Sequence, residues 1–206
     1  MVLARFLPFL VASVLVILIP GPDTLVVLRA ALSAGKSTAA RTAVGVLTGL
    51  SMWVTAAALG VTAILRASHD GYLVLRVAGA VYLTWFGLQA LRNRALGESV
   101  DPVAPRRSLV GSGYRAGLMT DLLNPKVGVF FITFMPAFIP HRAPVAASTF
   151  GMGAVFVLLT AVYFGVMLAF VQRLVRWLRN ERQRRRLNRA TGLVLIGFGV
   201  RLAFEG

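Results

Sequence analysis

The chain has 206 residues, 57% of them hydrophobic and 14% charged, with a mean hydropathy of +0.76; this composition is too apolar for a soluble domain and predicts several membrane spans. The absence of Cys excludes disulfides, thiolate catalysis and Cys-ligated metals. The net charge of +15 comes from short basic clusters between long apolar runs, and we expect no nucleic-acid partner because such a partner needs a continuous exposed basic surface.

Long apolar segments define the predicted elements. A helix needs about 20 apolar residues to cross the hydrocarbon of a bilayer. Six segments meet this requirement, at about 6–28, 43–65, 73–91, 116–139, 147–170 and 190–204. No small-residue cleavage site follows the first segment, so we predict a retained span rather than a signal peptide. The sequence thus predicts an all-α integral membrane protein with a single transmembrane domain over 1–206.

The first predicted span contains the sequence PGPD at residues 20–23. Proline removes a backbone donor and clashes with the preceding turn, so Pro20 and Pro22, with the flexible Gly21 between them, predict a break in the helix. Asp23 then falls in the first turn of a second half-helix, whose positive end favours a carboxylate. Asp23 is either a capping group that only stabilises this turn or part of a binding site.

The fourth predicted span contains a second interruption, in the sequence TDLLNPKVGVFF at residues 120–131. Asn124 and Pro125 predict a break there. Lys126 lies roughly 10 residues into this span, which is about 15 Å deep at 1.5 Å per residue. An ionisable residue inside a membrane is costly and indicates a functional site by default.

Two acids accompany this lysine. Asp23 and Asp121 both fall in the cytoplasmic half of their spans, and Lys126 lies deeper. One interpretation is a structural pair between Lys126 and one of the acids. The other is a path for a zwitterion, with its ammonium towards the carboxylates and its carboxylate towards Lys126. Protonation of one carboxylate would then couple the cycle to a proton gradient.

The basic residues are distributed unevenly between the predicted connections. Sixteen of the 22 Lys and Arg fall in connections 1–2, 3–4 and 5–6. The positive-inside rule places these three connections in the cytoplasm and both termini outside. The last connection, residues 172–192, is predicted to be an amphipathic helix that binds anionic lipid headgroups, with a regulatory or partner site as the alternative.

The two halves of the sequence resemble each other. RVAGAVYL at 76–83 matches RATGLVLI at 189–196, and LIPG at 18–21 and LNPK at 123–126 each place a proline within a span. Since each half has three spans, the second half must insert in the opposite orientation. Two inverted repeats, about 1–100 and 101–206, with helices 1 and 4 broken at Pro are typical of secondary transporters, whose substrate site lies at the breaks.

The sequence contains pairs of Gly at helical spacing and lacks the common catalytic motifs. Gly45 with Gly49, and Gly79 with Gly87, predict close helix packing, and these Gly-rich faces are also consistent with a homodimer. The sequence has no metal-ligand cluster, phosphate-binding Gly loop or Ser/His/Asp set. It therefore predicts no catalytic residues, no metal, no cofactor and no hydrolysis of ATP by this chain.

At these residues the chain resembles the lysine exporter (LysE) superfamily, in particular its homoserine/threonine exporter (RhtB) branch. The resemblance covers nearly the full length, and Asn-Pro-Lys in the fourth span is its most specific element. It is carried by PGPD at 20–23, the stretch with Gly45 and Gly49, VLRVAGAVYLTWFGLQAL at 74–91, RAGLMTDLLNPKVGVFF at 115–131 and LNRATGLVLIGFG at 187–199.

The resemblance implies efflux of amino acids or close derivatives from the bacterial cytoplasm, driven by the membrane potential or the proton gradient, and no enzymatic activity. It puts most weight on Pro20, Gly21 and Pro22 in span one and on Asn124, Pro125 and Lys126 in span four.

The chain differs from the pattern of the family at two points. Asp121 stands where Asn is frequent. Span two carries no acid, unlike that of the lysine and arginine exporters, so the implied substrate is neutral and similar to threonine or homoserine. The alternative function is a non-transporting assembly or signalling protein of the membrane, which would tolerate Lys126→Ala. A membrane enzyme would need a catalytic cluster that the sequence lacks.

Overall fold

The computed structural model describes residues 2–67, 112–139 and 143–171 continuously, and single residues between 77 and 91 and between 173 and 200. All regular structure in these residues is helical. The helices are α1 (Val2–Leu18), α2 (Pro22–Ser33), α3 (Gly35–Ala67), α4 (Tyr114–Leu122), α5 (Pro125–Val129) and α6 (Val145–Ala169). Two further helical turns follow α5. The first is a π-helical turn, Phe130–Phe134, and the second is a 3-10 turn, Met135–Phe138.

Two predicted spans and the repeat lie largely beyond the continuous part of the structure. The third and sixth predicted spans, the segment at 76–83 and the basic connection at 172–192 fall mostly outside the described residues, and the matching segment at 189–196 is described only in part. The six-span inverted repeat with both termini outside therefore stays a prediction.

The first predicted span consists of two helices. α1 ends at Leu18 and α2 begins at Pro22, and their axes differ by 46°. The change of direction follows from the two prolines, because neither Pro20 nor Pro22 has the amide hydrogen that would continue the helix. The connection to α3 is shorter than predicted: α2 runs to Ser33, and α3 starts at Gly35, whose φ of 85° suits a residue without a side chain.

Two of the described helices are long and apolar enough to cross a membrane, Gly35–Gly60 within α3 and the whole of α6. The bent pair Phe6–Leu18 and Pro22–Ser33 makes a third crossing if it counts as one span. These elements correspond to the second, fifth and first predicted spans. They support the prediction of a membrane-integral protein.

The faces of α6 show what surrounds this helix. Leu158, Val162 and Val166 follow one another at intervals of four residues and are all exposed, while Phe156 and Phe164 on another face are buried. A helix in a soluble protein carries polar residues on its exposed face. An apolar exposed face opposite an apolar buried face is the pattern expected in lipid.

The closest helix contact lies between α3 and α4. A methyl group built on Gly45 would collide with the carbonyl oxygen of Tyr114, and one built on Gly117 would collide with that of Thr42. The two backbones therefore touch at both points, which small residues permit between membrane helices. The predicted packing role of Gly45 and Gly49 is confirmed, and Gly79 and Gly87 lie outside the described residues.

This contact predicts a large difference between two glycine substitutions on α3. We expect Gly45→Ala to destabilise the folded protein by about 1–3 kcal/mol or more, because backbone atoms of α4 cannot yield as a flexible side chain does. Gly60→Ala is the matched control, since nothing lies within 4 Å of a methyl group there. Thermal unfolding in detergent measures both, and equal midpoints would contradict the contact.

Candidate functional site

The first helix break leaves backbone carbonyls that a second segment satisfies. In a continuous helix the carbonyl of Val16 would accept a hydrogen bond from residue 20, but Pro20 has no amide hydrogen to donate. The side-chain ammonium of Lys126 takes that place: its Nζ donates to the carbonyl of Val16 at 2.7 Å and to that of Ile19 at 3.2 Å. Lys126 thus joins the second break to the end of α1.

Asn124 makes the complementary connection from the second break to α2. Its Oδ1 accepts a hydrogen bond from the backbone N–H of Lys126 at 3.1 Å, which caps α5, and its Nδ2 donates to Oδ2 of Asp23 at 2.6 Å. Asn124 is buried, so both bonds are shielded from solvent. The PGPD and NPK motifs, distant in sequence, form one polar cluster through two side chains.

The backbone carbonyl of Asp121 lacks the donor that a continuous helix would supply, because that donor would be the amide hydrogen of residue 125, which is Pro. The indole Nε1 of Trp53 donates to it at 3.3 Å. The ring of Trp53 also packs on α5, since a methyl group on Gly128 would lie 2.8 Å from its Cη2 atom. Trp53 is not among the predicted site residues. Its place four residues after Gly49, which itself follows Gly45 by four, was the available signal for the same helix face.

A cavity adjoins the polar cluster. The volume that the centres of water molecules can occupy is about 40 Å³. One water needs roughly 10–15 Å³ by this measure. The cavity therefore admits a few waters, and in this conformation it is too small for an amino acid. Of the eight predicted site residues, Gly21, Asp23 and Lys126 line it. Its remaining lining is mostly apolar, with three hydroxyl side chains that sequence reasoning missed: Thr24, Thr160 and Tyr163.

The other predicted residues lie outside the cavity wall. Pro20, Pro22 and Pro125 shape the breaks, and Asn124 acts through its hydrogen bonds. Asp121 is buried on α4 and its carboxyl is no hydrogen-bond partner of Lys126. Of the two acids considered for a structural pair with Lys126, Asp121 therefore makes no hydrogen bond to it.

The arrangement is suited chemically to a small molecule with both charges. Asp23 keeps one buried oxygen, Oδ1, that accepts no hydrogen bond from the described residues, and Asp23 lines the cavity. Lys126, on the same cavity, uses its ammonium on two carbonyls. A carboxylate with an unused acceptor and an ammonium on the wall of the same cavity complement the ammonium and carboxylate of a zwitterion. In the part of the chain that is described, no group of three or more His, Asp and Glu is placed to hold a metal.

Comparison with known proteins identifies the family. The family of LysE type translocators matches residues 14–206. An uncharacterised membrane protein of Pseudomonas aeruginosa is 33% identical over 96% of this chain and 94% of its own length. A threonine efflux protein of Escherichia coli is 28% identical over 97% of this chain and 98% of its own, and a leucine efflux protein of Klebsiella pneumoniae 28% over 97% and 94%.

No solved structure matches the chain significantly. The family match extends over nearly the whole sequence, and the named relatives align from end to end. This chain belongs to the LysE type translocator family, a family of membrane transporters.

Proposed function

We propose that the protein is a secondary active exporter that moves neutral amino acids or close derivatives out of the bacterial cytoplasm. The observation that carries this proposal is the buried carboxylate oxygen Oδ1 of Asp23, which accepts no hydrogen bond from the described residues, in a residue that lines the cavity where two helix breaks meet. Breaks of this kind at matching places in two repeats are where secondary transporters bind their substrates. The threonine and leucine efflux proteins among the relatives support the same class of substrate.

The proposed binding mode uses both charged side chains. The ammonium of the substrate binds Oδ1 of Asp23, and the carboxylate of the substrate approaches Lys126. The Lys126 ammonium then replaces at least one of its hydrogen bonds to the carbonyls of Val16 and Ile19 by a bond to that carboxylate. Loss of those bonds would loosen the joint between the breaks. Binding and opening are thereby linked, as alternating access requires.

Five further predicted residues complete the proposed site. Pro20, Gly21, Pro22 and Pro125 shape the two breaks, and Asn124 joins them. Asp121, on α4, does not line the cavity and is not assigned to substrate binding. The cavity wall has no further acid among the described residues, which favours a neutral side chain. The hydroxyls of Thr24, Thr160 and Tyr163 are available to a threonine-like or homoserine-like substrate.

We place the protein in the inner membrane as a single domain of two inverted repeats, with both termini outside and basic connections that contact anionic lipids. The uneven distribution of Lys and Arg supports this orientation. A homodimer through Gly-rich faces and a role for protons belong to the same proposal.

The test is an efflux assay. Exporter-deficient bacteria are loaded with dipeptides, and all amino acids that accumulate outside are quantified with and without the protein. We expect one or a few neutral amino acids to rise. If lysine or arginine rises instead, the neutral class is wrong, and if no amino acid rises, the assembly or signalling alternative gains support.

A further inference from the structure

Asp121 is a fully buried acid that the proposed substrate site does not use. It lies near the end of α4 with 0% of its surface exposed, and it does not line the cavity. Its carboxyl packs directly on the backbone of α3, where a methyl group on Gly49 would lie 2.5 Å from Oδ2. Neither carboxyl oxygen accepts a hydrogen bond from the described residues.

Such a group is hard to explain as a structural element. An ionised carboxylate without donors or a counter-charge is among the most costly groups to bury. A capping role is excluded as well, because a negative charge is favourable at the start of a helix and Asp121 is the penultimate residue of α4. A buried acid in this situation needs a functional reason.

The charged groups that the structure describes around Asp121 do not neutralise it. Asp23, the other acid at the breaks, carries the same sign of charge and repels a charge on Asp121. Lys126 donates to the carbonyls of α1 instead. The other charged residues on the helices that pack against α4 include Arg29, Lys36 and Arg41, and neither carboxyl oxygen of Asp121 accepts a hydrogen bond from any described residue.

We propose that Asp121 is a proton-binding site, separate from the amino-acid cavity, which couples inward movement of one proton to outward movement of one amino acid. The inference rests on the proposed export function. On one side of the membrane the carboxylate of Asp121 binds a proton and becomes a neutral carboxylic acid; on the other side the O–H bond breaks and the proton leaves. No other bond changes.

Asp23 connects the two sites. When the ammonium of a substrate binds Asp23, it offsets the negative charge that acts on Asp121, so the Asp121 proton is released more easily. When the substrate leaves, the repulsion returns and Asp121 binds a proton again. Substrate and proton therefore exclude each other, which is the condition for exchange in opposite directions. Because a zwitterion carries no net charge, each cycle moves one positive charge inward.

The test compares two transport modes in liposomes that contain the purified full chain. Labelled threonine and labelled leucine are the probes. A pH gradient measures coupled transport, and counterflow, in which unlabelled amino acid exchanges for labelled, measures substrate movement without net proton transfer. For the wild-type protein we expect both modes.

Asp121→Asn has the same shape and cannot exchange a proton. We expect it to retain counterflow within about twofold and to reduce transport driven by the pH gradient by about tenfold or more, since only proton binding is removed. Asp121→Ser serves as a second variant if the first does not fold. Asp23→Asn, which changes the cavity itself, should lose both modes.

Three outcomes would overturn the inference. If the Asp121→Asn variant still transports amino acid in response to the pH gradient, the proton binds elsewhere. A folded Asp121→Asn without counterflow would place Asp121 in substrate binding. Wild-type protein with counterflow but no response to the pH gradient would show that no proton is coupled. Wild-type protein without counterflow of either probe would instead count against the proposed function itself.

Discussion

We expect replacement of Lys126 by Met to reduce amino-acid efflux to the level of cells that lack the protein. Methionine has similar length and no charge, so the change removes the ammonium that donates to the carbonyls of Val16 and Ile19 and that would receive the substrate carboxylate. Each buried carbonyl left without a partner costs about 1–3 kcal/mol, so the joint between the two breaks is lost together with the charge. The assay of dipeptide-loaded bacteria measures the effect.

Lys36→Met is the matched control, because Lys36 lies exposed in the first turn of α3 and away from the cavity. We expect its efflux to equal that of the unaltered protein. Immunoblots of membrane fractions must show equal amounts of both variants. Full efflux by Lys126→Met would leave the export function standing and would remove Lys126 from the proposed site.

Asn124→Asp is the second change with a large expected effect. The new side chain keeps an oxygen for the N–H of Lys126, and Asp caps a helix as well as Asn does. It loses the Nδ2 donor, however, and faces Oδ2 of Asp23 across the present 2.6 Å contact. Two buried carboxylates at this distance repel each other strongly, and we expect efflux to fall by about tenfold or more and the thermal midpoint to drop.

The exchanged pair, Asp23→Asn with Asn124→Asp, separates structure from binding. It restores one donor and one acceptor across the same contact, so the thermal midpoint should recover. Efflux should not recover, because the free carboxylate oxygen on the cavity wall is replaced by that of an amide. Recovery of both would mean that Asp23 only joins the two breaks, which is the capping or structural interpretation of this residue.

The local features of this protein follow from its sequence because they depend on single residues. Composition alone predicts a membrane-integral helical chain, and the missing amide hydrogens of the prolines predict where helices stop. α1 ends at Leu18, just before Pro20, and α5 begins at Pro125. The spacing of Gly45 and Gly49 likewise indicates a close helix contact. The sequence also singled out Lys126 as an unusually deep charge.

Contacts between distant segments depended on the tertiary structure. Asn124 and Asp23 are separated by 101 residues, and Lys126 meets a carbonyl 110 residues away. The sequence left open whether Lys126 pairs with an acid. In the structure its ammonium donates to two carbonyls, one of which lacks its helical donor because residue 20 is Pro, and Lys126 shares a cavity with Asp23. Trp53 gained its role only because α3 packs against the break in span four.

The difference has a physical reason. Helix breaks, spans and charge bias are properties of the chain and its immediate solvent, so they can be read locally. The helix breaks leave donors and acceptors without helical partners. The packing of α2, α4 and α5 on α3, and the requirement that buried polar groups form hydrogen bonds, decide which of these groups meet. That packing put Asp23 in the cavity wall and left its buried Oδ1 without a donor among the described residues. It enclosed Asp121 against Gly49, where its carboxyl also has no hydrogen-bond partner among the described residues.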